Sequence, residues 1–139
     1  AYPSHACKAA VIGDPFNFPV SKDTGMSSMF LDDVIRSIFE ISHAPQASLK
    51  SHAYNLHGFH FTAQQLCDNL KQVYPNFEYS FEIDPDVDNL VKGWPNEVIS
   101  NSAALDWNWT PEFYFENSIS AMLELLSNGS MSYRNKPTT

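Results

Sequence analysis

Basic side chains are scarce: eight lysines and arginines face sixteen aspartates and glutamates in 139 residues, a formal charge of −8. No basic cluster exists to attract a phosphate backbone or an anionic lipid surface, so nucleic acid is not an expected partner. Cysteine is nearly missing too. Cys7 and Cys67 are too few for a disulfide scaffold, and both sit in helix-like apolar contexts where a buried thiol in a reducing compartment is expected. No apolar run approaches the roughly 20 residues that a membrane-crossing helix needs, and membrane insertion is not expected. Also lacking are G-x-G-x-x-G, a phosphate loop, a glycine-framed nucleophile and Tyr-x-x-x-Lys. By themselves, these residues offer no route to holding a dinucleotide or moving a hydride. Two glycosylation triplets, Asn108-Trp-Thr and Asn128-Gly-Ser, lack a secretory signal and are not expected to be used. The chain opens on Ala1-Tyr2-Pro3 rather than Met, which suggests that something has been removed upstream.

What is present is core material. Apolar residues make up 43% of the chain and aromatics 14%, enough for one folded unit without internal repeats. Ala6, Cys7, Ala10 and Val11 have helical spacing, and Gly13-Asp14-Pro15 closes that helix. Phe16, Phe18 and Val20 alternate, but Pro19 places this strand at a sheet edge. Ser21 to Ser28 reads as loop. A helix follows, with Asp32 or Asp33 as cap and Val34, Ile35, Ile38, Phe39 and Ile41 forming one wide apolar face, until Pro45 stops it. Ala53 to Phe61 has strand composition without alternation, suggesting an element covered on both sides. Thr62 and Gln65 have capping-box spacing before a helix carrying Leu66, Leu70 and Val73. Phe77, Tyr79, Phe81 and Ile83 alternate with polar residues as a half-buried strand, and Asp84-Pro85 opens a short helix ending at Gly93. Val98-Ile99 suits a brief strand, with a one-turn helix from Ser100 or Asn101 through Leu105. Thr110-Pro111 suits the start of a final helix burying Phe115, Ile119, Met122, Leu123 and Leu126, which Asn128-Gly129 would end. Residues 1–129 form the expected folded lobe, and 130–139 a polar, flexible tail.

Few of these residues carry chemistry. His57 and His60 would fall on opposite faces of a strand, with no carboxylate or cysteine at matching spacing, which argues against zinc. Capping accounts for Asp32 and Asp33. Trp94, between Gly93 and Pro95 at the exit of a short helix, has a rigid setting for covering a ligand, although spacing alone favours a core role.

Taken in order, "SKDTGMSSMFLDDVIRSIFEI", "AYNLHGFHFTAQQL", "GWP" and "LDWNW" resemble the C-terminal half of extended short-chain dehydrogenases. The likeness points to the L-threonine 3-dehydrogenase branch, relatives of the UDP-galactose 4-epimerases, and runs from residue 2 to residue 126. The resemblance implies an α/β fold: a C-terminal substrate-binding lobe plus edge elements of a Rossmann-type sheet, including the strand near residues 53–61, with the N-terminal Rossmann core missing. That missing half would bind NAD and carry the catalytic Tyr-x-x-x-Lys, so no catalytic, cofactor-binding or metal-binding residue is expected in this chain. Trp94 matches a Trp-Pro that lies over the amino-acid substrate and becomes the one candidate substrate-binding residue. The expected partners are the Rossmann half or another protein chain and a small 3-hydroxy amino acid, with homodimerisation of the intact parent. Location would be mitochondrial or cytoplasmic. "DWNW" matches a glycine turn of the family, with Asn108 replacing glycine because asparagine best tolerates a left-handed backbone, and the indoles are expected to clamp the turn against the last helix. Gly25 and Ala104 stand where relatives often carry arginine. Those losses keep a second reading open, a non-catalytic scaffold subunit derived from this fold. A sugar-nucleotide epimerase is a third, disfavoured because so few bases are available to hold a diphosphate.

Overall fold

The computed structural model describes residues 2 to 134, with side chains through residue 129. The order is α1 (Tyr2–Ile12), β1 (Phe16–Phe18), β2 (Gly25–Ser28), α2 (Leu31–His43), β3 (Phe59–Thr62), α3 (Ala63–Val73), β4 (Tyr79–Phe81), α4 (Pro85–Lys92), α5 (Asn101–Trp107) and α6 (Phe115–Arg134). A 3₁₀ turn, Gln46–Ser48, follows α2. The mixed α/β expectation holds, with two small sheets. β1 pairs parallel to β4, Phe16 opposite Tyr79, and β2 pairs antiparallel to β3, Gly25 opposite Thr62.

Local chemistry explains most boundaries. α1 stops where Gly13 takes a φ of +80°, a conformation costly for a residue with a Cβ. The Thr62 side chain accepts from the Gln65 amide while Gln65 accepts from Thr62 N, closing the expected capping box on α3. Asp84 caps α4 by accepting from the Asp86 and Val87 amides, with Pro85 in the first turn, where its missing N–H costs nothing.

The main core lies where α1, α3 and α6 meet the sheets. Ala6, Cys7, Phe18, Val20, Leu66, Cys67 and Leu70 are wholly buried there. Phe18 is its hub, packed edge-on against Phe16 and Tyr2 at centroid distances of 4.9 and 5.9 Å. A smaller cluster is formed by Ala103, Trp107 and Trp109 with Met29, Ile41, Leu49, Tyr54 and Leu56 around them.

Several expectations change. Gly25 to Ser28 is strand, not loop, because β3 supplies a ladder that the polar sequence did not announce. Of the expected 53–61 strand only Phe59 to Phe61 pairs, in a ladder that runs on to Thr62, since the residues before it have no neighbouring strand among those described. Val98 and Ile99 make no strand; α5 runs two residues beyond Leu105, and Ser100 precedes it without a side-chain cap. Val73 is half exposed. α6 starts at Phe115 rather than Thr110, because residues 110–114 are drawn over the Asp33 carboxylate, and Asn117 Oδ1 accepts from the Tyr114 amide at the new start. It also continues past Gly129 to Arg134; positions 135–139 of the expected tail lie outside the described residues.

The largest change concerns α2. Asp33 and Asp32 do not cap it; Phe30 precedes it with no side-chain cap. Of the expected apolar face, Val34, Ile35, Ile38 and Phe39 look outward and Ile41 packs against the tryptophan cluster, while only Asp33 and Ser37 are buried. Asp33 accepts from the amides of Glu112 and Phe113 at 3.1 and 2.9 Å and from Arg36 at 2.7 Å. Arg36 also donates to the Thr110 carbonyl and Glu40, and lies 4.5 Å from the centre of the Trp109 ring. Satisfying that buried charge requires the polar side of the helix to face inward.

Candidate functional site

Trp94 sits at the end of α4, and the position of that helix is fixed by one buried carboxylate. Asp88 is 5% exposed. It accepts from Ser21 N and Oγ at 2.8 and 2.9 Å, from Thr24 Oγ1 at 2.6 Å and from Lys92 Nζ at 2.6 Å. Burial pushes this carboxyl up, but the hydrogen bonds from Lys92, Thr24 and Ser21 outweigh it and hold the group well below the usual carboxylate range. Thus α4 is tied to the 21–24 loop by a charge that persists at neutral pH.

From that anchor the chain turns over a short distance. The Gly93 amide donates to the Asn89 and Leu90 carbonyls, the Trp94 amide donates to Val91, and the Asn96 carbonyl accepts from Ser27 Oγ at 2.9 Å. The indole of Trp94 is left 44% exposed over a cavity of about 340 Å³. Tyr2, Phe16, Met26 and Val91 form apolar wall, while His5 and Asn17 contribute polar groups. Burial, with Cys67 and Asp88 adding to it, pushes the Tyr2 phenol up to about 12, so it stays protonated. The exposure of Trp94 decides against the core role that spacing alone favoured. The described lining is mostly apolar with a few polar groups, which suits a small, partly apolar molecule.

Other candidates do not join it. His57 precedes β3 and His60 lies on it, and no three potential metal ligands converge among the described residues. Asp33 belongs to the α2 clamp. Trp107 and Trp109, 7% and 1% exposed, pack against each other at 5.5 Å. They pack beneath Arg36 and against Ile41, Leu49 and Tyr54, so they clamp the turn to α2 and the following segment, not to the last helix. Asn108 has φ 60° and ψ 29°, the left-handed turn expected of it. Asp106 at that turn accepts from the Tyr54 hydroxyl and the Lys50 amide, which together lower its pKa. Gly25 faces His60: a Cβ there would lie 2.4 Å from His60 Nε2. The sequence did not single out Asp88, Arg36 or His5. Two of them left a local signal, Arg36 in its i,i+3 spacing from Asp33 and Asp88 in its i,i+4 spacing to Lys92.

No family model matches the chain. It is 27% identical over 114 residues to the mitochondrial L-threonine 3-dehydrogenase of Bos taurus, covering 82% of this chain and 31% of that protein. An uncharacterised epimerase/dehydratase of Staphylococcus aureus is 27% identical over 108 residues, 77% of this chain and 34% of that one. Among solved structures, the GalE-like L-threonine dehydrogenase of Cupriavidus necator superposes with a TM-score of 0.80 at 28% identity, over 86% of this chain and 39% of that one. The chain therefore spans about a third of the length of the curated relatives it matches. In sequence and in fold, it is homologous to part of the L-threonine 3-dehydrogenases and of the epimerase/dehydratase proteins related to them.

Proposed function

We propose that this chain is the substrate-binding part of an NAD-dependent oxidoreductase that oxidises L-threonine or a similar small 3-hydroxy amino acid. The observation that carries the reading is the half-exposed Trp94 over its cavity, at the Trp-Pro position singled out by the resemblance. In this reading the dinucleotide and the tyrosine base that receives the hydroxyl proton belong to a complementary domain. Bound there, NAD would supply the acceptor for a hydride from the substrate C3. The residues of this chain contribute binding: Trp94 covers the amino acid, the walls below exclude water, and the Asp88 tether keeps the indole in register. The test is an assay of the natural-length protein with NAD and L-threonine, following reduced nicotinamide by absorbance. Trp94→Ala is expected to lower kcat/KM by about tenfold or more, the scale of losing one well-placed aromatic contact. Turnover indifferent to that change would sink the assignment of Trp94, and absence of turnover by protein that binds NAD would sink the activity.

One observation favours a second reading, a non-catalytic subunit. His60 fills the space beside Gly25, where the resemblance implies a basic side chain in catalytic relatives. Binding of NAD without threonine-dependent reduction is the outcome that selects it.

A further inference from the structure

Tyr2 opens α1 and forms part of the wall beneath Trp94. Its ring packs edge-on against Phe18, and the residue is only 9% exposed. The hydroxyl is buried and hydrogen-bonds to nothing among the described residues. A buried phenol ordinarily finds a partner, and one left without it is a net cost to folding. That cost is recovered when a molecule entering the cavity supplies the missing acceptor. Because burial pushes the phenol up to about 12, the group on offer at neutral pH is an O–H and not a phenolate. Two further donors share the lining. His5 lies three residues along α1, the spacing that sets two side chains on one helix face. Asn17 on β1 has its Oδ1 engaged by the Ser80 hydroxyl, which leaves the Nδ2 hydrogens as the group it can offer. Asp88, close enough to help raise the phenol, does not serve as its acceptor. The oxygens of that carboxylate are engaged by Ser21, Thr24 and Lys92, and the Lys92 ammonium at 2.6 Å offsets its charge. A set of donors within an apolar wall suits an acceptor-rich group, and hydrogen bonds to a carboxylate are the strong ones.

We infer that the Tyr2 hydroxyl is a specificity-determining donor of this cavity, hydrogen-bonding to the carboxylate of the molecule that Trp94 covers, with His5 and Asn17 as supporting donors. This rests on the substrate-binding reading of the cavity given above and adds the group that the site recognises. The ligand class is a small hydroxy acid held by its carboxylate end. Tyr2 binds and orients that end and takes no part in proton or hydride transfer. Its contribution is selective: a site built to hydrogen-bond one group rejects the analogue that lacks it.

The experiment compares the natural-length protein with its Tyr2→Phe variant by titration calorimetry, with reduced nicotinamide present so that nothing turns over. Three probes are used. L-threonine is set against L-threoninol, in which a hydroxymethyl group replaces the carboxylate, and against 3-hydroxybutyrate, which keeps the carboxylate and lacks the ammonium. Tyr2→Phe is expected to weaken L-threonine and 3-hydroxybutyrate by about tenfold or more, the scale of a hydrogen bond to a charged group, and to leave L-threoninol unchanged. The same variant is expected to raise the thermal midpoint of the unliganded protein by about 2 °C, because it removes a buried donor that nothing satisfies. A hydroxyl with a purely structural role gives the reverse. A lowered midpoint, or an equal effect on all three probes, overturns the inference. Tight L-threonine binding that ignores Tyr2→Phe removes the donor and leaves the amino-acid reading standing. Failure of L-threonine to bind, with Tyr2-dependent binding of 3-hydroxybutyrate, removes the amino-acid reading and leaves the donor standing. No binding of either carboxylate overturns both.

Discussion

The main core, where α1, α3 and α6 close on the two sheets, buries Phe18, Val20, Leu66 and Leu70 completely. The smaller cluster around Trp107 and Trp109 lies beneath a helix that turns Ile38 and Phe39 to water. The first region is held by apolar burial, which is non-directional and survives small adjustments. The second depends on one buried carboxylate and one guanidinium, directional groups that are costly to leave half-paired. The contrast teaches that within one chain the free energy of an apolar interior and that of a helix held with its apolar stripe exposed come from different sources. The main core encloses its apolar side chains, whereas α2 turns Leu31, Ile35, Ile38 and Phe39 to water.

The most severe way to break this contrast is Asp33→Ala. It leaves two amides and Arg36 without their acceptor, a loss of about 3–5 kcal/mol on the scale of buried pairs deprived of one partner. Hydrogen exchange should accelerate across α2 and residues 110–114 while α3 keeps its protection; an equal loss in both regions would mean that they unfold as one unit.

A milder probe acts on the anchor of Trp94. The Asp88 carboxyl has a folded pKa below its unfolded value of about 4. Its contribution is therefore fully present above pH 4 and lost as pH falls through the folded value. Acid titration should show a decline starting near pH 4, on the order of 2 kcal/mol, accompanied by a change in Trp94 fluorescence. Asp88→Asn should flatten that part of the curve, and an unchanged acid limb would remove the carboxylate from its assigned role. The smallest effect belongs to the turn. Asn108→Ala should cost about 1 kcal/mol and Asn108→Gly close to nothing, because only the left-handed backbone distinguishes them. A chemical-denaturation midpoint that ranks them the other way would show that the asparagine side chain, not its backbone, matters there.

What the sequence revealed was mostly local. The Thr62–Gln65 box, the Asp84 cap and the Asn108 turn each involve groups within a few residues of one another, so their chemistry can be read directly from spacing. Periodicity also grouped Ile35, Ile38 and Phe39 on one face of α2, but it does not say what a face meets. The answer lay 79 residues away, in the amide of Glu112 that donates to Asp33. The Trp94 cavity was hidden for the same reason, since Tyr2, Asn17 and Val87 come together only when α1, β1 and α4 have packed. Trp94 itself was singled out only through its resemblance to a family motif, because its exposure depends on packing that spacing does not report.

The two thiols lie on the finished side of this divide. Cys7 and Cys67 are fully enclosed, and burial pushes both up to about 12, so at neutral pH neither offers a nucleophile to a passing reagent. A maleimide reaches them only through a breach of the interior itself. The rate at which such a reagent labels the two thiols therefore clocks the opening of the interior that encloses them.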